Sequence, residues 1–402
     1  MIERYLNPEI NSIWDDQNKF DTWKLVQEKY VETLEELDVA ENGIAKKINQ
    51  SIVQKDEVYK QEEITNHDLA SFVDILQKKV GEGSNWIHYG LTSSDIVDTA
   101  NSILIMQSLD YVKDLINDLL STLEEKAVQE KDTSIIGRTH GVYAEETFLG
   151  NIFGNWYLEV ARGLNRLENS KNNISFGKLS GPVGNHSIVT SEMEKLTLEK
   201  LNLKSEQFAN QIVSRDRYAE VVSSLGILAS TYERIATNIR SYQRSEISEM
   251  FESFKDGQKG SSAMPHKKNP IGSERITGLA RIMRSYVSTS LENMVLWNER
   301  DISNSSVERI MLPDAFHLIT FMSIELNSIL KHLVINYEQI NVNLEDAKNK
   351  SISQKYLSYL VNNGVDRDTA YRKIQEEIFN NLSAEELKKE LEKEFKLEFP
   401  DL

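Results

Sequence analysis

The chain has 402 residues, 40% hydrophobic and 27% charged, enough to build a large core without covalent staples. With 46 Lys and Arg against 63 Asp and Glu it carries a formal charge of −17, which excludes general affinity for nucleic acid or anionic membrane and requires a local basic cluster to hold any anionic ligand. There are no cysteines, which excludes disulfides, thiolate metal sites and a cysteine nucleophile; with no basic leader and no run of about 18 apolar residues, a cytoplasmic location is expected.

Residues 1–92 read as a small N-terminal domain of short helices closed by the turn-rich "GEGSNW" (81–86). Residues 101–130 then place Leu104, Leu109, Val112, Leu115, Ile116, Leu119, Leu120 and Leu123 at mostly three-and-four spacing, which predicts a long amphipathic helix. The same spacing predicts helices over 218–250 (Val222, Leu225, Leu228, Tyr232, Ile235, Ile239, Tyr242) and 274–297 (Ile276, Leu279, Met283, Tyr286, Leu291, Met294), and a fourth over 314–336. Helices of this length bury their stripes best against one another. The expected fold is therefore all-α, an elongated central bundle over 93–341 flanked by the domain at 1–92 and by short, charged helices at 342–402. In the last of these, Ser383 followed by Glu386 is a capping-box pattern that opens a solvated helix.

Five polar stretches interrupt this scheme: "TNHDLASF" (65–72), "WIHYGLTSSDIVDTA" (86–100), "GRTHGVYAEETFLG" (137–150), "GQKGSSAMPHKKNP" (257–270) and "WNERDISNSSVERIMLPD" (297–314). The fourth must be a loop, because Gly260, Ser261 and Ser262 favour turns while Pro265 and Pro270 lack backbone donors. The other four set histidines, hydroxyls or charges against helix ends, where unpaired backbone groups can gather a ligand. His67, His88, His140 and His266 all fall in these stretches. Singly, each histidine reads as a structural residue and each Ser/Thr run as a cap; five such stretches in one chain point to a site. With no HExxH, no histidine pair at helical spacing and no cysteine, metal binding is not expected, and a serine hydrolase is excluded for want of a G-x-S-x-G elbow.

"GSSAMPHKKNP" closely resembles the signature loop of the fumarase/aspartase superfamily, and "TNHD", "HYGLTSSDIVDTA", "GRTHG" and "RDISNSSVER" resemble its adenylosuccinate lyase branch, over a span from "MIERY" to about residue 340. The resemblance implies β-elimination without metal or cofactor, releasing fumarate from adenylosuccinate (leaving AMP) and from SAICAR (leaving AICAR). It implies Ser261 as base, with Ser262 the rival candidate, and His140 as acid oriented by Glu274. His67 would be a second histidine near the reacting atoms, His88 would bind rather than react, and Lys267 and Asn269 would stabilise the carboxylate that takes up charge. Arg4, Tyr5, Arg300, Ser305 and Arg309 would hold the nucleotide and its phosphate, with Asn66, Asp68, Thr92, Ser93 and Gln211 making the remaining contacts. The resemblance further implies a homotetramer whose sites each draw on three subunits, and a loop at 257–270 that closes over the substrate.

Two departures from the family pattern stand out. Tyr143 and Glu146 occupy places near His140 where relatives often carry a second histidine and a proline, and the chain closes on "KLEFPDL" without a further helical segment, so a reduced third domain is expected. Two other readings compete: a sister lyase acting on argininosuccinate, aspartate, malate or a carboxymuconate, and a non-catalytic homologue. Arg300 and Arg309 favour the phosphorylated substrate over the sister substrates, and the intact set Ser261, His140, Glu274, Lys267 and Asn269 argues against the homologue.

Overall fold

The computed structural model describes residues 1–254, 257–380 and 382–399; Pro400, Asp401 and Leu402, the end of the segment expected to form a reduced third domain, lie outside the described residues. The helices are α1 (Pro8–Trp14), α2 (Asp16–Glu36), α3 (Ile44–Gln50), α4 (Lys55–Thr65), α5 (Asp68–Val80), α6 (Ser93–Gln129), α7 (Leu149–Ile174), α8 (Ser191–Lys200), α9 (Arg215–Tyr242), α10 (Ile271–Glu292), α11 (Ser303–Lys331), α12 (Tyr337–Ser351), α13 (Ser353–Asn362), α14 (Arg367–Phe379) and α15 (Ala384–Phe395). Short strands pair as an antiparallel hairpin, β1 (Ser134–Thr139) with β2 (Val142–Phe148), a parallel pair, β3 (Phe176–Gly177) with β4 (Lys204–Ser205), and an antiparallel pair, β5 (Met250–Phe251) with β6 (Val334–Ile335). The expected all-α class holds.

Sequence periodicity located these helices by their apolar stripes and missed their ends. The helix expected over 101–130 begins eight residues earlier, at Ser93, where polar Asp95, Asp98 and Thr99 are buried and partnered rather than solvated. The helix expected to reach residue 250 stops at Tyr242, and Met250 and Phe251 form a strand instead. The helix expected over 314–336 starts at Ser303 and runs through Pro313; the proline removes one N–H, which frees the carbonyl of the exposed Arg309. The helix expected over 274–297 ends at Glu292; its stripe is buried only as far as Met283, Leu291 is exposed, and Met294 lies exposed beyond the helix end. The stretch 137–150, expected against a helix end, is mostly the β1–β2 hairpin, followed by the unanticipated α7.

The chain forms two compact units. Unit 1 comprises residues 1–119, 160–234 and 275–326. Its N-terminal core packs Phe20, Trp23 and Phe72 edge-to-face or stacked at 5.2–6.0 Å between ring centres, and each such ring contributes about 1.5–3 kcal/mol through burial. Asn7 opens the first helix by accepting from the N–H groups of Glu9 and Ile10 at 3.0 and 3.1 Å, with Pro8 at the first helical position. The stripes of α6, α9 and α11 are buried at Leu104, Val112, Ile116, Val222, Leu225, Tyr232, Phe316, Ile319 and Met322, and the Tyr232 hydroxyl meets Ser323 Oγ at 3.0 Å.

Within unit 1 a buried guanidinium ties three helices together. Arg215 of α9 directs Nη1 and Nη2 to the Asp98 carboxylate of α6 at 2.6 and 2.9 Å, and Nε and Nη2 to the Glu308 carboxylate of α11 at 2.8 and 3.0 Å. The fifth N–H goes to the Val213 carbonyl at 2.8 Å, and the ring of Tyr218 lies 4.5 Å away.

Unit 2 comprises residues 120–159, 235–274 and 327–402. Its C-terminal helices enclose a small core of Tyr356, Leu360, Ala370, Ile374, Leu387, Leu391 and Phe399. α15 opens with the expected capping box, Glu386 N donating to Ser383 Oγ at 3.3 Å and Ser383 N to Glu386 Oε2 at 2.9 Å.

Removing the guanidinium would leave two buried carboxylates without a cation. Arg215→Ala is expected to lower stability by about 3–5 kcal/mol. The check is a shift of the urea midpoint; a variant as stable as the parent would show that the cluster carries no structural weight.

Candidate active site

In unit 1 the polar stretches meet at the leading ends of the long helices. α4 ends at Asn66, whose φ of +52° is the left-handed turn that lets the chain reverse into α5. His67 caps α5: its Nδ1 accepts from Ala70 N at 3.4 Å, so Nε2 carries the hydrogen and faces Ser93 Oγ, at the head of α6, at 3.3 Å. Asp68 follows and accepts from Arg309 Nη2 at 2.6 Å. Burial alone would raise the Asp68 pKa, but Arg309 and the Leu69 N–H outweigh it and hold the carboxyl below its usual range.

His88, in the left-handed region at φ +65°, is gripped by Gln27, which receives its backbone N–H and donates to its Nδ1, both at 3.0 Å. Burial, aided by nearby His67, lowers its pKa to about 4, so near neutral pH the ring is uncharged and presents Nε2–H as a donor. Thr92 leads into α6 through its N–H, which donates to Asp95 at 2.8 Å. Asp95 in turn forms a fully buried ion pair with Lys178 and accepts from Gly181 N at 3.2 Å.

A cavity of about 200 Å3 opens beside these groups, lined by Trp14, Lys19, Trp23, Asp68, Arg215, Arg300, Asn304, Ser305, Glu308 and Arg309 among others. Arg300 Nη1 donates to Gln211 Oε1 at 3.2 Å. Arg300 Nε, Asn304 Oδ1 and Trp23 Nε1 are buried without a hydrogen-bond partner among the described residues. Unsatisfied donors and an acceptor around one polar hollow are what a bound ligand or water would satisfy. Tyr5 packs edge-on against Phe321 at 5.0 Å, and Arg4 is exposed in the same short helical turn.

Unit 2 holds the groups expected to react. Ser261 Oγ accepts from the backbone N–H groups of Ala263 and Met264 at 3.3 and 3.1 Å, whereas the Ser262 hydroxyl bonds to none of the described residues. The tight turn depends on Gly260, where a Cβ would lie 2.2 Å from the Lys267 carbonyl. Asn269 closes the loop, its Nδ2 donating to the Gly260 carbonyl at 2.8 Å. One of its two amide hydrogens therefore braces the loop. Glu252 accepts from Gly272 and Ser273 N–H at 3.1 and 2.6 Å and so caps α10, on whose first turn Glu274 is exposed. Lys267, Asn269 and Glu274 line one open groove of about 1010 Å3 with His266, Arg240 and Arg244.

His140 sits at the tip of the β1–β2 hairpin with φ +55°, followed by Gly141 at +79°, the pattern of a two-residue hairpin turn. No hydrogen bond joins it to Glu274 or to Ser261 among the described residues. Within one chain, then, His67, Asp68, Ser93 and Arg309 come together in unit 1 and the loop groups come together in unit 2, while His140 is hydrogen-bonded to none of them among the described residues. Sequence reading missed the groups that hold these in place, Asp95 with Lys178, Arg215 with Asp98 and Glu308, and Glu249 with Arg138. Their partners lie 83 to 117 residues apart, beyond the reach of any periodicity.

A family model described as a lyase matches residues 17–283, and the chain belongs to this lyase family. Within it the chain is similar to adenylosuccinate lyases. It is 42% identical over 381 residues to that of Aquifex aeolicus, covering 93% of this chain and 87% of that one. It is 41% identical over 386 residues to that of Thermotoga maritima (96% and 90% covered) and 40% over 376 to that of Bacillus subtilis (93% and 87%). Among solved structures, a fumarate lyase from Mesorhizobium sp. superposes with a TM-score of 0.86 at 19% identity, over 96% of this chain and 90% of that one. A 3-carboxy-cis,cis-muconate lactonizing enzyme from Pseudomonas putida gives 0.84 at 21%, over 96% and 89%. At such identities the likeness shows the fold. Among the described residues no helix is long and apolar enough to cross a membrane.

The buried imidazole gives a pH signature. Unfolded, His88 takes up its proton near pH 6.5; folded, only near 4. Between those values the unfolded chain binds more protons, so stability is present above 6.5 and is lost as pH falls toward 4, by up to about 3 kcal/mol. His88→Asn, which tolerates the left-handed backbone and does not titrate, should flatten the unfolding midpoint over that window. Equal pH slopes for parent and variant would contradict this origin.

Proposed function

We propose that the chain is an adenylosuccinate lyase of purine nucleotide biosynthesis, which eliminates fumarate from adenylosuccinate to leave AMP and from SAICAR to leave AICAR, with no metal or cofactor. The observation that carries the chemistry is the seating of Ser261 Oγ under two backbone N–H groups, with Lys267 and Lys268 on the same loop. A hydroxyl is too weak a base at neutral pH, and such donors favour its alkoxide. Ser261 takes the proton from the carbon beside the succinyl carboxylate, the electron pair moves into that carboxylate, and Lys267 stabilises the charge. The C–N bond then breaks as His140 delivers a proton to the departing nitrogen, with Glu274 orienting it. Asn269 serves by bracing the loop as well as by its place near the reacting carboxylate.

The nucleotide side of the reading rests on unit 1. Arg300 and Arg309, each held by a neutral or acidic neighbour and each able to fork onto phosphate oxygens, supply the local cationic pocket that a chain at −17 needs. Arg4, Tyr5, Ser305, Asn66, Asp68, Thr92, Ser93 and Gln211 complete the ligand contacts, His67 lies near the reacting atoms, and His88 donates from Nε2. The proposal includes a homotetramer with sites shared between subunits, a cytoplasmic location, and the division into 1–92, 93–341 and 342–402.

An absorbance assay with both succinylated nucleotides tests the activity. Turnover of argininosuccinate or malate, with neither nucleotide cleaved, would overturn it. Ser261→Ala should lower kcat by about 10²–10⁴ while substrate still binds, and Ser262→Ala should not. The parent should prefer adenylosuccinate over its dephosphorylated nucleoside, and Arg309→Gln should shrink that preference by about 10- to 100-fold in kcat/KM. A preference untouched by Arg309→Gln would place the phosphate elsewhere.

A further inference from the structure

His140 makes no hydrogen bond to any described residue, so its position is set by the hairpin that carries it. α12 packs against both strands of that hairpin, yet Ile135 and Ile136 are its only buried residues and both lie at the end away from His140. Its ladder is also broken just below the tip, where Gly137 faces both Ala144 and Glu145 in a bulge; a Cβ at Gly137 would lie 2.8 Å from the Glu145 carbonyl. Something must hold the tip.

The side chain two residues before His140 does so. Arg138 forks onto Glu249 with Nη1 and Nη2 at 2.9 and 2.8 Å, and its guanidinium lies 5.3 Å from the centre of the Tyr143 ring opposite. Glu249 is 0% exposed. Asn343 of α12 donates to the same carboxylate at 2.8 Å and to the Ile247 carbonyl at 2.9 Å. The backbone of Glu249 is fixed in turn, donating to the Tyr242 carbonyl at 3.1 Å and accepting from Asn336 N at 2.9 Å, next to the β5–β6 pair. Three segments therefore converge on one water-excluded carboxylate.

We propose that Arg138, Glu249 and Asn343 form a positioning clamp that aims the His140 imidazole for proton delivery; this rests on the reading of His140 as the acid. A buried ion pair adds little net stability over apolar side chains of the same volume, whereas a bidentate fork fixes direction. A clamp of this kind acts through geometry, and a displacement of about 1 Å at a reacting group can lower a rate about 100-fold.

Arg138→Lys tests it, because lysine keeps the charge paired with Glu249 and loses only the fork. Protein with labelled histidine rings is compared by NMR, the His140 signal being assigned by its loss in His140→Ala, alongside kcat, KM and the unfolding midpoint. The clamp predicts a His140 signal that shifts or broadens while the other histidines keep theirs, with kcat down by about 100-fold and KM within about twofold. An unmoved His140 signal overturns it, as does a moved signal with unchanged kcat, or a general shift of all histidines with a lowered midpoint. The NMR readout needs no turnover, so a parent chain inactive on both nucleotides would sink the functional reading and leave the clamp to be judged on the His140 signal.

Discussion

The ligand-facing part of unit 1 depends on the Arg215 guanidinium. All five of its N–H groups are spent on Asp98, Glu308 and the Val213 carbonyl, and those partners lie at the leading ends of α6, α9 and α11. The same helix ends carry Thr92 and Ser93, Gln211, and Arg300, Ser305 and Arg309. One buried cation thus fixes where three sets of candidate ligand contacts stand. Its two carboxylates consume that cation, Asp68 pairs with Arg309 and Asp16 with Lys19, so among the cations lining the cavity Arg300 is the one whose recorded side-chain partner, Gln211, is neutral.

Unit 2 solves a related problem with carboxylates. Glu249 and Glu252 flank the two-residue strand β5; the first receives Arg138 from the hairpin and the second caps α10 at the foot of the 257–270 loop. The overall excess of acid therefore does structural duty at buried points. Of the groups proposed to react, Ser261 is half-buried and seated by two amides, whereas His140 is exposed and held only by its frame.

The stripe residues of the long helices were legible in the sequence because burial follows the 3.6-residue period, as Leu104, Val222 and Ile276 show. The helix ends were not. Asp95 and Asp98 look like solvated residues until Lys178 and Arg215 are brought beside them, and Pro313 looks like a boundary although it lies within α11. Composition located the 257–270 loop, and the resemblance named the residues in it, but neither could say that Ser261 rather than Ser262 would receive two amide hydrogens. Nor could sequence foresee that Asn269 would spend its amide on Gly260. The hairpin under His140 escaped notice because its apolar residues sit side by side, as Ile135 and Ile136 do, and give no alternating strand pattern.

The proposed sharing of sites, with acid and base reaching one substrate from different chains, is tested by mixing two folded, inactive variants, Ser261→Ala and His140→Ala, after dissociation and reassembly, with subunit exchange verified by mass. Activity should reappear, because some sites then receive an intact serine from one chain and an intact histidine from another. Hybrid assemblies that form and stay as inactive as their parents would contradict it.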